Sequence, residues 1–122
     1  MKILLALFAL TAIASAYDFP PANDNFDVAA LVADVEALRK FTDCFLDKAP
    51  CSDVAATFKA ANMDAVETTC SKCNRIQRKQ FRTYLIGLHK QLPDDFREFV
   101  SKYDPKNKHF DRVWTTIQNK NF

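Results

Sequence analysis

The chain is 122 residues long, one domain's worth, with 17 Lys and Arg against 15 Asp and Glu for a formal net charge of +2. This near balance, with no like-charged block longer than the mixed run 75–82, excludes nucleic acid and an anionic membrane as the main partner, since either wants a clustered basic face. A single glycine, Gly87, and the lack of an alternating β-branched run exclude a hairpin-rich fold, so the fold class is all-α.

Lys2, the apolar run 3–13 and the small residues Ala14-Ser15-Ala16 read as a signal peptide over 1–16, leaving 17–122 as a single secreted, extracellular domain. No later stretch approaches the roughly 20 apolar residues that a membrane span needs. Residues 17–24 contain Pro20-Pro21 and no apolar period, which predicts an extended arm.

Asp27 then caps an amphipathic segment in which Val28, Leu31, Val32, Val35, Leu38, Phe41, Phe45 and Leu46 recur at three- and four-residue steps, as one helix or as two broken near Asp34. Pro50 stops it, and Ser52 or Asp53 caps the next helix. There Val54, Phe58, Met63 and Val66 face one way, while alanines at 55, 56, 60, 61 and 65 keep the helix slim for close packing. Residues 72–91 form a strong helix with Ile76, Phe81, Tyr84, Leu85 and Leu88 on one face and Arg75, Arg78, Lys79 and Arg82 largely on the other. Pro93 opens a short helix through Val100 that buries Phe96, Phe99 and Val100, and the run 102–105 breaks it. Phe110, Val113, Trp114 and Ile117 mark the last of about six helices.

Four cysteines, Cys44, Cys51, Cys70 and Cys73, stand in the pattern C-x6-C-x18-C-x2-C. In an exported chain an even cysteine count reads as a disulfide framework, and four allow three connectivities between which the spacing does not choose. Adjacent pairing would close two small rings, worth roughly 2 to 2.5 kcal/mol each on the chain-entropy argument, and would pin local corners more than distant elements. A zinc site suits the oxidising compartment poorly, and a thioredoxin-type role for Cys70 and Cys73 wants a βαβ unit that the pattern lacks. No metal and no cofactor is expected.

The cysteine spacing, the phrase Asp24-Asn25-Phe26-Asp27-Val28, the motif Cys70-Ser71-Lys72-Cys73 and the motif Lys102-Tyr103-Asp104-Pro105 together resemble the insect chemosensory proteins. The resemblance covers nearly the whole chain after residue 16. It implies a compact bundle of about six helices, the disulfides Cys44–Cys51 and Cys70–Cys73, and an internal hydrophobic channel for fatty acids, alcohols, esters and pheromone- or odorant-like compounds. It also implies secretion into the lymph of sensory hairs or another extracellular fluid. Three positions depart from the family: Phe41 and Asn23 stand where tyrosine is frequent, and Phe96 where tryptophan is. A further change, Ala49 in place of a frequent glycine, slightly stiffens the loop between the first two cysteines. These departures predict an oilier channel with no polar anchor at those points.

The function expected is that of a secreted carrier, acting as a monomer on small apolar ligands, with a membrane receptor as its further partner. The residues expected to line the channel are Leu31, Leu38, Phe41, Phe45, Ile76, Tyr84, Leu85, Leu88, Phe96 and Val100. Phe41 and Phe96 rest on the resemblance; the others rest on helical spacing, which serves a plain core equally well. Tyr84, whose hydroxyl needs a partner when buried, is the candidate polar point. Trp114 is expected as a lid or outer-core residue, and Tyr103 as a brace for the turn at Asp104-Pro105. The chain is not expected to be an enzyme: it has no G-x-S-x-G, no H-E-x-x-H and no glycine-rich phosphate loop, and His89 and His109 are isolated. The alternative is a secreted interaction or developmental factor in which ligand binding is incidental.

Overall fold

The computed structural model describes residues 23–122. The expected signal peptide and nearly all of the expected arm lie outside the described residues. Those described form six helices and no strand: α1 (Val28–Ala33), α2 (Val35–Phe45), α3 (Asp53–Thr68), α4 (Arg75–Gln91), α5 (Pro93–Tyr103) and α6 (Phe110–Ile117).

Short polar side chains set the boundaries. Asp27 accepts from Ala30 N at 2.9 Å and starts α1. Asp34 lies in the extended region, so the helix cannot continue through it. Its own N–H still reaches Leu31 O, closing α1, while its carboxylate accepts from Ala37 N and opens α2. Between the two alternatives that periodicity left open, the structure selects the broken pair. Ser52 caps α3 through Ala55 N at 3.1 Å.

The corner between α3 and α4 is tight because Thr69 and Cys70 both take left-handed backbone conformations, with φ of 55° and 59°. The Cys70–Cys73 disulfide spans that corner, and a reciprocal capping box between Asn74 and Gln77 starts α4 at Arg75, three residues later than the apolar pattern predicts. The other disulfide, Cys44–Cys51, fastens the end of α2 to the loop before α3. The fifth helix runs on to Tyr103, past the predicted Val100, because Tyr103 faces inward and donates its hydroxyl proton to Phe45 O at 2.8 Å. That bond ties α5 to the end of α2. The turn at Asp104-Pro105 is instead organised by Asp104 itself.

One apolar cluster runs through all six helices. α1 packs mainly on α4, α2 on α3 and α5, and α5 on α4. By contrast, α3 and α4 make no extensive contact with each other although they follow one another in the chain. They are bridged at one end by α6. Arg112 of α6 donates to Glu67 O and Thr69 Oγ1 at the end of α3, while Arg82 of α4 donates to Ile117 O at the end of α6. The carbonyls at these helix ends are thereby satisfied.

Candidate ligand cavity

Because α3 and α4 stand apart, a space opens between them. It is a cavity of about 380 Å³ that also reaches α1 and α2, at the lower end of the roughly 300 to 1,000 Å³ typical of ligand pockets. Its α3 wall is made of Thr57, Phe58, Ala60, Ala61, Asn62 and Ala65, and the alanines leave the space that larger side chains would fill. The facing wall on α4 is Gln77, Gln80, Phe81 and Tyr84. Val28, Leu31, Phe41 and Phe45 close it from α1 and α2, and Cys70 and Cys73 close it at the corner.

Four of its aromatic lining residues, Phe41, Phe45, Phe58 and Tyr84, form a connected set that Phe26 joins from the turn before α1. Phe26 and Phe41 stack with ring centroids 5.6 Å apart, Phe58 lies 5.9 Å and 6.1 Å from these two, and Phe41 contacts Phe45 edge-on at 5.1 Å. Tyr84 meets Phe45 at 5.4 Å. These rings hold one another in place from three different helices and the turn before α1, so the apolar wall is preorganised.

Of the residues expected to line the channel, Leu31, Phe41, Phe45 and Tyr84 lie on this wall. Six do not. Leu38, Leu85 and Leu88 are completely buried in solid packing, where inward-facing spacing leads to filled core. Val100 packs against the outside of the same core. Ile76 is 48% exposed, because the capping box places it in the first turn of α4, before that helix meets the bundle. Phe96 sits on the far side of Phe99 and Phe110, in contact with His89 at 4.9 Å and Trp114 at 5.2 Å. Trp114 shares this outer aromatic group and does not border the cavity. Met63, expected on the inner face of α3, is also exposed.

Tyr84 is not a free polar point. Its hydroxyl and that of Thr42 form a buried hydrogen bond of 2.6 Å, and burial pushes the phenol far above its ordinary range despite that bond. The polar character of the cavity comes from residues that the apolar pattern passes over. Asn62 and Gln80 are each 7% exposed, and each holds a side-chain atom with no hydrogen-bond partner, Nδ2 of Asn62 and Oε1 of Gln80. Asn23 and Asp24 stand at the same wall. Of the replaced positions, Phe41 is an apolar part of the wall, Phe96 lies away from it and Asn23 brings an amide to it, and further amides on α3 and α4 add polarity that the expectation of an oilier channel did not include. A buried, small polar residue at an inward position of a helix is the only signal that could have found Asn62.

Among the described residues there is no helix long and apolar enough to cross a membrane, and no cluster of His, Cys, Asp and Glu able to hold a metal ion.

Comparison with known proteins agrees with this architecture. The sequence model of the insect pheromone-binding family A10/OS-D matches residues 19–111. Allergen Tha p 1 of Thaumetopoea pityocampa is 31% identical over 124 residues, covering 98% of this chain and 97% of its own. Ejaculatory bulb-specific protein 3 of Drosophila melanogaster is 26% identical over 120 residues, with 97% and 95% covered. Among solved structures, a chemosensory protein in complex with bromo-dodecanol superimposes with a TM-score of 0.74 at 24% identity, covering 81% of this chain and 99% of that one. The antennal chemosensory protein A6 from the moth Mamestra brassicae gives 0.67 at 24% identity, with 76% and 91% covered.

Proposed function

The chain belongs to the insect pheromone-binding family A10/OS-D, and from that premise we propose that it is a secreted carrier that takes up small, long-chain apolar molecules in the cavity between α3 and α4. The observation that carries this reading is the cavity itself, about 380 Å³ of space walled by phenylalanines and alanines beside the packed core of the bundle. The occupied chemosensory protein, which holds a bromo-dodecanol, lends support through its likeness in fold. Of the residues named from the sequence, Leu31, Phe41, Phe45 and Tyr84 are the ones we assign to the ligand site, joined by Val28, Phe58 and Phe81.

Affinity follows from area and entropy. Burying about twelve methylenes at roughly 0.8 kcal/mol each gives about 10 kcal/mol gross. Ordering the chain and immobilising it consume several of these, which leaves a dissociation constant in the micromolar range, on the order of 1 to 100 μM. A carrier has to release its cargo, and this range permits that. The described residues that line the cavity include no serine, histidine, lysine or arginine, and their two cysteines are joined as a disulfide, so the reading assigns the site no catalysis.

The test is displacement of an apolar fluorescent dye from the purified protein by alkyl compounds of graded length. Displacement at micromolar concentration, strengthening with chain length and then failing once the chain outgrows the cavity, is expected. Failure of every member of the series would remove the carrier reading and leave the interaction factor in its place.

A further inference from the structure

Gln80 is fixed in one orientation by its surroundings. Its Nε2 donates to two main-chain carbonyls of the segment before α1, Asn23 O at 2.9 Å and Phe26 O at 3.3 Å. Turning the amide over would place its oxygen against both carbonyls. The oxygen Oε1 is therefore held away from them, buried on a residue of the cavity wall, with no donor to satisfy it. A buried acceptor without a donor is costly, and the cost falls only when something supplies a proton to it.

The charge on the wall points the same way. The one ionisable carboxylate lining the cavity is Asp24, whose Oδ2 accepts from Asn74 Nδ2 at 3.0 Å, and among the described residues no lysine, arginine or histidine lines it. An incoming fatty-acid carboxylate would meet a fixed acceptor and a like charge, with no cation to balance its own. A hydroxyl meets neither obstacle. Once the wall side chains shift to uncover these two covered atoms, it can donate to Gln80 Oε1, and its lone pairs remain available to a donor such as the unpartnered Nδ2 of Asn62.

Resting on the carrier reading, we propose that this cavity selects chains whose polar end is a neutral hydrogen-bond donor, an alcohol above all, and discriminates against carboxylates, with Gln80 as the specificity-determining acceptor.

The experiment compares dodecanol, its methyl ether and dodecanoate as displacers of the same dye at neutral pH. The three share one alkyl chain and differ at the head: donor and acceptor, acceptor only, and charged acceptor only. Dodecanol is expected to displace at about a tenfold lower concentration than the ether, the size of one well-placed buried hydrogen bond, with dodecanoate weakest. Ether equal to alcohol, or dodecanoate equal to or stronger than alcohol, overturns the proposal while leaving a carrier in place. If none of the three displaces the dye, the carrier reading falls and the proposal with it. A Gln80→Lys variant keeps donors for the Asn23 and Phe26 carbonyls but replaces the acceptor with a cation, and is expected to reverse the order of dodecanol and dodecanoate. If Gln80→Lys melts like the parent and keeps the parent's order, the proposal is wrong; if it does not fold, the three-ligand series on the parent protein decides.

Discussion

At Asp104 a single buried carboxylate organises a whole turn. Its two oxygens accept from the backbone N–H groups of Lys108, His109 and Phe110 at 2.9 to 3.0 Å, and so supply α6 with the cap that His109 does not provide. Burial by itself would raise its pKa, but the bonds from His109, Lys108 and Phe110 outweigh burial and hold it below the ordinary carboxylate range. Asp47, at the surface, is lowered to about 2 by hydrogen bonds from Lys102 and Lys59. Both groups are more acidic folded than unfolded, so their stabilisation is complete above the unfolded value of about 3.9 and is lost as pH falls through the folded value. Thermal melts are therefore expected to be level from neutral pH to about 5 and to drop below about 4. Asp104→Asn should flatten that drop. Salt at about 0.5 M should remove mainly the contribution of the exposed Asp47. A second residue-scale comparison separates cavity from core. Phe41→Asp places a charge among Phe26, Phe58 and Tyr84 and is expected to weaken dye binding at least about tenfold with helical circular dichroism retained. Phe96→Ala, on the far side of Phe99, should leave binding within about twofold while lowering the melting temperature.

At the scale of the elements, α1 and α4 approach each other tightly where Gly87 meets Val32. A Cβ on Gly87 would lie 2.6 Å from both Cβ and Cγ1 of Val32, on a stiff branched side chain that cannot swing away. Gly87→Ala gains about 1 kcal/mol of helix propensity, but overpacking at such a contact costs roughly 1 to 3 kcal/mol. A net loss of stability in urea titration is expected, and Val32→Gly added to Gly87→Ala, which removes both clashing atoms, should cost less than the sum of the two single changes. Additive effects of the two changes would show that the helices do not press on each other there.

The same helices show what was legible beforehand. Three- and four-residue apolar steps together with Pro50 and Pro93 located the helices, and Asp27 and the pair Ser52 or Asp53 marked two of the starts, because these depend on local chemistry, while the break near Asp34 stood only as one of two alternatives. The cavity depends instead on which pairs of helices fail to meet. Leu85 and Phe41 both face inward by periodicity, yet one is sealed in solid core and the other borders open space, since the α3–α4 gap is set by the corner at 69–74 and by the small side chains of α3. Asn62 and Gln80 were missed for a related reason: a polar residue on a helix reads as solvated until a second helix is seen to cover it.

Taken as a whole, the molecule has a filled side and an empty one. Phe99, Tyr103, Phe110, Val113 and Ile117 pack the first, and Arg112 and Arg82 lash α6 to the end of α3 and the middle of α4. The second side is held by rings around a gap, with disulfides fixing only its corners. Among the described residues, this phenylalanine- and alanine-walled space is the place offered to an apolar guest. Isotope-edited nuclear Overhauser spectra of the labelled protein with dodecanol test this most directly. Contacts from the alkyl chain to Phe41, Phe58, Ala61 and Phe81, and none to Phe96 or Trp114, are predicted. Contacts confined to Phe96 and Trp114, or no contacts at all at saturating dodecanol, would contradict the account.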